Sequence, residues 1–155
     1  MTARILFVCL GNICRSPLAE AALRAEAARL GLAIQVDSAG TGDWHVGAPP
    51  DPRSVAAARR NGIDISGQRA RQVTREDFEM FDHIVALDAD NLAALEALRP
   101  AGSKARLSLL LDHVPGREGQ AVADPYYGDH AHFDLTWADV AAGARHLAQQ
   151  IASMG

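Results

Sequence analysis

Cys9 and Arg15 bracket five residues, and the run Cys9-Leu10-Gly11-Asn12-Ile13-Cys14-Arg15-Ser16-Pro17 leads from an apolar strand pattern into a helix pattern. Backbone N–H groups of a short loop entering a helix converge on a point, the helix N-terminus adds partial positive charge, and Arg15 brings a planar fork of donors. Leu10 to Ser16 therefore form a cradle for a dianion such as a phosphoryl group. The same field favours a thiolate on Cys9 over the thiol, and Ser16 is placed to donate a further hydrogen bond to the sulfur. A nucleophile directly under a bound phosphate has the geometry of covalent phosphoryl transfer. Gly11 and Asn12 suit a loop that curls its amides inward, because both tolerate positive φ. Cys14 is open to two roles: packing beneath the loop, or, as the loop curls back, forming a reversible disulfide with Cys9 under mild peroxide.

A transfer to Cys9 expels an alkoxide or phenoxide, and a positioned acid that protonates it is worth about 10²–10⁴ in rate. Composition alone does not choose that acid among nineteen carboxylates. Asp124 is the best candidate: it ends the short apolar stretch Ala121 to Ala123, is held by Pro125, and is followed by Tyr126 and Tyr127. The competing role is a turn residue before proline.

These residues need elements to place them. Arg4 to Val8 reads as a buried strand, and Ser16-Pro17 as an N-cap and first helical position. Ala19, Leu23, Ala27 and Leu30 recur at helical spacing, Glu20 and Arg24 lie four apart on another face, and Gly31 supplies the stop. Leu32 to Val36 suggests a second strand and Asp37 to Pro50 a long loop. Asp51-Pro52 opens a helix closed by Asn61-Gly62. Thr74 to Asp77 resembles a capping box, His83 to Leu87 a strand, Asn91 to Leu98 a helix, and Leu107 to Leu111 a fourth strand. Trp137, Val140, Ala144, Leu147 and Ile151 form the apolar stripe of a C-terminal helix. Short apolar strands alternating with helices imply an α/β domain over residues 1–155, with a parallel sheet covered on both faces. Ligands of such sheets sit at the carboxyl ends of the strands, where the Cys9 loop begins.

Composition narrows the function classes. The 155 residues are 48% hydrophobic and carry a net charge of −4, with basic residues scattered along the chain. Neither a nucleic-acid binder nor a membrane-surface binder is expected, and no apolar run approaches the roughly 18 residues of a membrane helix. A cytoplasmic location is the default, and there two cysteines are not expected to form a permanent bridge.

The Cys-x5-Arg-Ser-Pro loop after the first strand resembles the signature of the low-molecular-weight protein tyrosine phosphatases. Matching segments span the chain: Asp37-Ser38-Ala39-Gly40-Thr41, Trp44-His45-Val46-Gly47, Pro49-Pro50-Asp51-Pro52-Arg53, Ala70 to Thr74, Asp77-Phe78, Asp88 with Asn91, and Asp124-Pro125-Tyr126-Tyr127-Gly128. The resemblance implies a four-stranded parallel sheet with helices on both sides, hydrolysis of protein phosphotyrosine and small aryl phosphates, and a phosphocysteine intermediate on Cys9. Neither metal nor other cofactor is implied. It gives Arg15 to phosphate, makes Asp124 general acid and then base, and places Ile13, Trp44, His45, Tyr126 and Tyr127 around the substrate ring. Phosphotyrosine proteins and a cognate tyrosine kinase are the implied partners, and Tyr126 and Tyr127 are themselves phosphorylation candidates. Asp88 has two open roles, orienting groups of the loop or capping a helix. Asn61 and Gln68 stand where many relatives carry histidines that help hold the phosphate loop.

Other functions explain less. Gly40-Thr41-Gly42 lacks the third glycine of a dinucleotide fingerprint, and His130 and His132 with Asp129 and Asp134 read as a polar loop rather than a metal site. Arsenate reduction needs further cysteines, and none follows Cys14. A protein arginine phosphatase typically has Thr where Ile13 stands. A non-catalytic phosphate-binding module would not need Cys9, Arg15 and Asp124 together.

Overall fold

The computed structural model describes residues 2–154. Four strands, β1 (Ala3–Cys9), β2 (Ile34–Gly40), β3 (His83–Ala86) and β4 (Arg106–Leu109), pair in parallel in the order β2-β1-β3-β4. The helices are α1 (Arg15–Leu30), α2 (Pro52–Arg60), α3 (Asp77–Met80), α4 (Ala89–Leu98) and α5 (His130–Met154), with a 3-10 turn over Leu110–His113. The α/β class and the four-stranded parallel sheet expected from the sequence are both present.

Alternation along β1 divides the core. Ile5, Phe7 and Cys9 face α1 and α5, packing with Leu18, Leu23, Val140 and Leu147. Leu6 and Val8 face the other way, toward Phe78 of α3 and Leu95 of α4. Burial on both faces explains the unbroken apolar run, and each of Ile5, Leu6 and Phe7, wholly buried, contributes about 1.5–3 kcal/mol.

Several boundaries differ from the sequence expectation. β2 starts later than Leu32 and runs through Asp37 to Gly40, because the ladder pairs all of β1, from Ala3 with Ile34 to Cys9 with Gly40. Backbone pairing outweighs a composition that reads as loop. Leu110 and Leu111 leave the sheet in the 3-10 turn, both buried. The helix after Thr74 begins only at Asp77, whose carboxylate accepts from the Thr74 N–H at 2.8 Å and is also held by Arg71. α5 opens at His130, so the two histidines lie in a helical turn, and Asp129 Oδ1 is 2.8 Å from His132 Nδ1. Gly31 ends α1 in the left-handed conformation at φ 64°, as expected.

β2 and β3 flank β1 on opposite sides, so successive connections diverge at the carboxyl ends of β1 and β3. That divergence opens the crevice in which ligands of such sheets bind. Among the described residues no helix is long and apolar enough to cross a membrane.

Candidate active site

Cys9 is the last residue of β1 and 2% exposed, with Sγ 3.0 Å from Ser16 Oγ. Carbonyls at the start of the loop are tied to the segment after β2: Thr41 N–H donates to Cys9 O and Gly42 N–H to Leu10 O, each at 2.9 Å. Asn12, at φ 58°, is the one non-glycine residue with positive φ among the described residues. Its buried side chain holds the turn. Nδ2 donates to Ser16 Oγ at 2.8 Å and Ser38 Oγ at 2.9 Å, while Oδ1 accepts from the Arg71 N–H at 3.0 Å.

Ser38 Oγ donates to Glu20 Oε1 at 2.8 Å, so its lone pairs receive Asn12. Ser16 Oγ also receives Asn12, and its proton is free to turn to a Cys9 thiolate. Burial raises the pKa of Glu20, against the pull of hydrogen bonds from Ser38 and Arg24.

Two expectations for this loop need correction. α1 begins at Arg15, with Cys14 in the N-cap position and no side-chain cap, so Ser16 and Pro17 are its second and third residues. The Ser16 hydroxyl is committed to Asn12 and Cys9 instead of the helix end, which leaves the first-turn amides as donors for an anion. Gly11 does not adopt positive φ. It is needed for close approach: a Cβ there would lie 2.9 Å from His45 Cδ2, and one on Gly40 would lie 2.8 Å from Leu10 O.

Arg15 is 2% exposed. Nη1 donates to Asp88 Oδ2 at 2.6 Å and Val122 O at 3.0 Å, and Nη2 lies 3.6 Å from Asp124 Oδ2. Burial by itself would lower the guanidinium pKa, but Cys9, Asp88 and Asp124 reverse the sign. Asp88 fills both roles left open by the sequence, since its Oδ1 accepts from the Asn91 N–H at 2.7 Å and caps α4. Asp124 is partly exposed, with Oδ1 accepting from the Tyr126 N–H at 3.1 Å.

These groups meet in a cleft of about 290 Å³, with Cys9 and Arg15 joined by Leu10, Gly11, Ile13 and Cys14 from the loop and by Trp44, His45, Asp124, Tyr126 and Tyr127. Asn12 and Ser16 do not line it; they support the loop from behind. The Tyr126 and Tyr127 rings pack edge to face at 5.1 Å, and Trp44 and Tyr127 are strongly exposed. Cys14 is buried in a cluster with Ala57, Ala70 and Phe133. Burial, then Asp51, Cys9 and Asp124, push its thiol up to about 12.

Asn61 closes α2, its Nδ2 donating to Ala57 O at 2.9 Å. Gln68 reaches α1, donating from Nε2 to Pro17 O at 3.3 Å, with Oε1 buried and unpaired. Sequence reasoning missed four supporting residues: Glu20, Ser38, Arg71 and Arg53, the last binding the Asp51 carboxylate and the carbonyls of Tyr126 and Gly128. Ser38, Arg71 and Arg53 lie in segments that resemble the family, which was the available signal. Glu20 gave only its helical spacing to Arg24. Among the described residues, no three His, Cys, Asp or Glu side chains are grouped to hold a metal ion.

Comparison with known proteins places the chain in a family. The family model for low molecular weight phosphotyrosine protein phosphatases matches residues 4–154. The low molecular weight protein-tyrosine-phosphatase YfkJ of Bacillus subtilis is 46% identical over 125 residues, covering 79% of this chain and 80% of the relative. A protein tyrosine phosphatase from Entamoeba histolytica, crystallised with Hepes in the active site, superimposes with a TM-score of 0.93 at 32% identity, covering 99% of each chain. The arginine phosphatase YwlE of Bacillus subtilis, a cysteine-to-serine mutant with a phosphorylated active-site serine, gives a TM-score of 0.87 at 28% identity, covering 96% of this chain and 95% of its own. With a family match along nearly its whole length and a Cys-x5-Arg loop at the switch point of its sheet, this chain is a phosphatase and belongs to the low molecular weight phosphotyrosine protein phosphatases.

Proposed function

We propose that this enzyme hydrolyses phosphotyrosine in proteins, and small aryl phosphates, through a phosphocysteine on Cys9. The observation that carries this is the single cleft in which the Cys9 sulfur, 3.0 Å from the Ser16 hydroxyl, shares space with Arg15 and Asp124. Phosphate dianion is held by the Leu10 to Ser16 amides and by Arg15. The Cys9 thiolate attacks phosphorus, the P–O ester bond breaks, and Asp124 gives its proton to the departing phenolate oxygen. Asp124, now a carboxylate, takes a proton from water as that water attacks phosphorus. The S–P bond breaks, phosphate leaves, and Cys9 returns to a thiolate. Charge is met throughout by amides and Arg15, so no metal or cofactor enters a step. YwlE supports the covalent step, since a phosphorylated serine sits in its active site in the mutant.

Ile13, Trp44, His45, Tyr126 and Tyr127 form the walls for the substrate ring. Cys14 acts as redox partner: peroxide oxidises Cys9 to a sulfenic acid, and the Cys14 thiol condenses with it, releasing water and forming a disulfide. Substrates are phosphotyrosine proteins made by a cognate tyrosine kinase, met in the cytoplasm.

The depth of the cleft decides specificity. A long aromatic stem carries phosphate to Cys9, whereas phosphoserine would draw the peptide backbone into the walls. One peptide bearing phosphotyrosine, phosphoserine, phosphothreonine or phosphoarginine in turn tests this through kcat/KM. Phosphotyrosine is expected to lead by at least about tenfold, a difference of about 1.4 kcal/mol. Parity with phosphoserine overturns the depth argument, and a lead for phosphoarginine assigns the YwlE activity instead.

A further inference from the structure

We infer that Arg53 is a positioning residue for the acid, fixing the loop that carries Asp124 to the helix that supports the phosphate loop. The inference deepens the proposed reaction and rests on Asp124 being the proton donor. The segment 123–129 has neither helix nor strand. On its near side Arg15 donates to Val122 O, and the Val122 N–H donates to Leu87 O at 2.8 Å. On its far side the Arg53 guanidinium takes over, with Nη1 donating to Gly128 O and Nη2 to Tyr126 O, both at 2.8 Å. The same guanidinium lies over the Phe133 ring at 4.5 Å and the Tyr126 ring at 5.8 Å. Among the described residues, no other side chain donates to a carbonyl between Asp124 and Gly128.

The other end of the link is equally specific. Arg53 Nε and Nη2 bind the two carboxylate oxygens of Asp51 at 3.0 and 2.9 Å. Asp51 caps α2, and its own N–H donates to Ile13 O at 2.8 Å. One planar guanidinium therefore joins the loop that binds phosphate to the loop that delivers the proton, through four of its five N–H groups. That link sets where Asp124 sits relative to Cys9. Displacement of a reacting group by about 1 Å costs about 10²-fold, so losing the link is expected to affect proton delivery more than phosphate binding.

The test uses kcat/KM, which reads the transfer to Cys9, across aryl phosphates from dinitrophenol to phenol. Arg53→Met, Arg53→Lys, Asp124→Ala and the Arg53→Met/Asp124→Ala double variant are compared, with vanadate binding and thermal unfolding measured on each. Arg53→Met is expected to lose about 10-fold to 100-fold on phenyl phosphate and less than about threefold on dinitrophenyl phosphate, with vanadate binding retained. Arg53→Lys, a point charge that cannot span two carbonyls and a carboxylate, is expected to fall between. In the Asp124→Ala background Arg53→Met is expected to add no leaving-group dependence. Equal loss on every leaving group, or the same graded loss repeated without Asp124, overturns the inference and leaves Arg53 a support of the fold. If Arg53→Met does not fold, Arg53→Lys decides by the same slope. If folded Asp124→Ala shows no leaving-group dependence, the acid assignment itself fails, and this inference with it.

Discussion

The loop from Cys9 to Ser16 and the segment from Val122 to Gly128 meet over one cleft but are held in opposite ways. The first is buried at Cys9, Asn12, Arg15 and Ser16, and its side-chain hydrogen bonds run inward through Ser38 to Glu20. The second is open to water at Asp124 and Tyr127 and rests on two arginines and a few backbone contacts. A binding site for a dianion gains from a fixed, desolvated ring of donors. A proton donor must instead face a leaving group that varies and departs, and a segment open to water but pinned by arginines on both sides suits that task. Damage to the first loop should abolish turnover on every substrate, while damage to the second should depend on the substrate.

Substitutions at four positions probe this contrast, the most severe first. Cys9→Ser is expected to lower kcat by at least about 10⁴-fold while vanadate binding survives by calorimetry, because the amides and Arg15 remain; appreciable residual turnover would refute the covalent path. Asn12→Ala removes three hydrogen bonds, two of them buried, and forces alanine into φ near that of Asn12. A stability loss of about 3 kcal/mol is expected in denaturant unfolding, together with lower activity on all leaving groups alike. Asn12→Gly relieves the backbone and not the network, so it should recover part of the stability without recovering rate.

Asp51→Asn probes the join between the loops. Arg53 holds the Asp51 carboxyl below its usual range, so its contribution to stability is present above that range and fades as pH falls through the lowered value. The variant should flatten the acid limb of the stability curve below about pH 5, where the carboxyl of the unfolded chain begins to protonate, by about 1 kcal/mol at most for a pair partly open to water. An unchanged limb would remove Asp51 as the anchor. Trp44→Ala should be mildest, costing about 1 kcal/mol, or about fivefold in kcat/KM, on phosphotyrosine peptides and little on a small alkyl phosphate.

The phosphate loop was legible because its chemistry is consecutive: Cys9 to Ser16 carry nucleophile, turn and guanidinium in one stretch, bounded by a strand and a helix. Most of its supports were not, since Ser38 and Arg71 arrive from other elements, and no local pattern says that they converge on Asn12; Asp88 was the exception. Glu20 shows the difficulty well. Its spacing to Arg24 suggests an ordinary surface pair, and that pair does form at 3.0 Å, yet Arg15 to Leu23 are all buried, so the carboxylate serves the interior. Ser16-Pro17 misled in a different way, because a hydroxyl that suits a helix cap was engaged by the neighbouring sulfur. The length of β2 was hidden by Asp37 and Gly40, which register with β1 by backbone alone.

The central place of β1, with α1 packed along α5, has a consequence for biosynthesis. Translation produces the Cys9 loop before Ser38, Arg71, Asp88 and Val122, which emerge in turn, with α5 later still. Until they dock, the nascent chain carries a cysteine with neither the groove that selects its substrate nor the burial that shields it. Closure of the fold is therefore the event that both buries this thiol and completes the cleft that uses it.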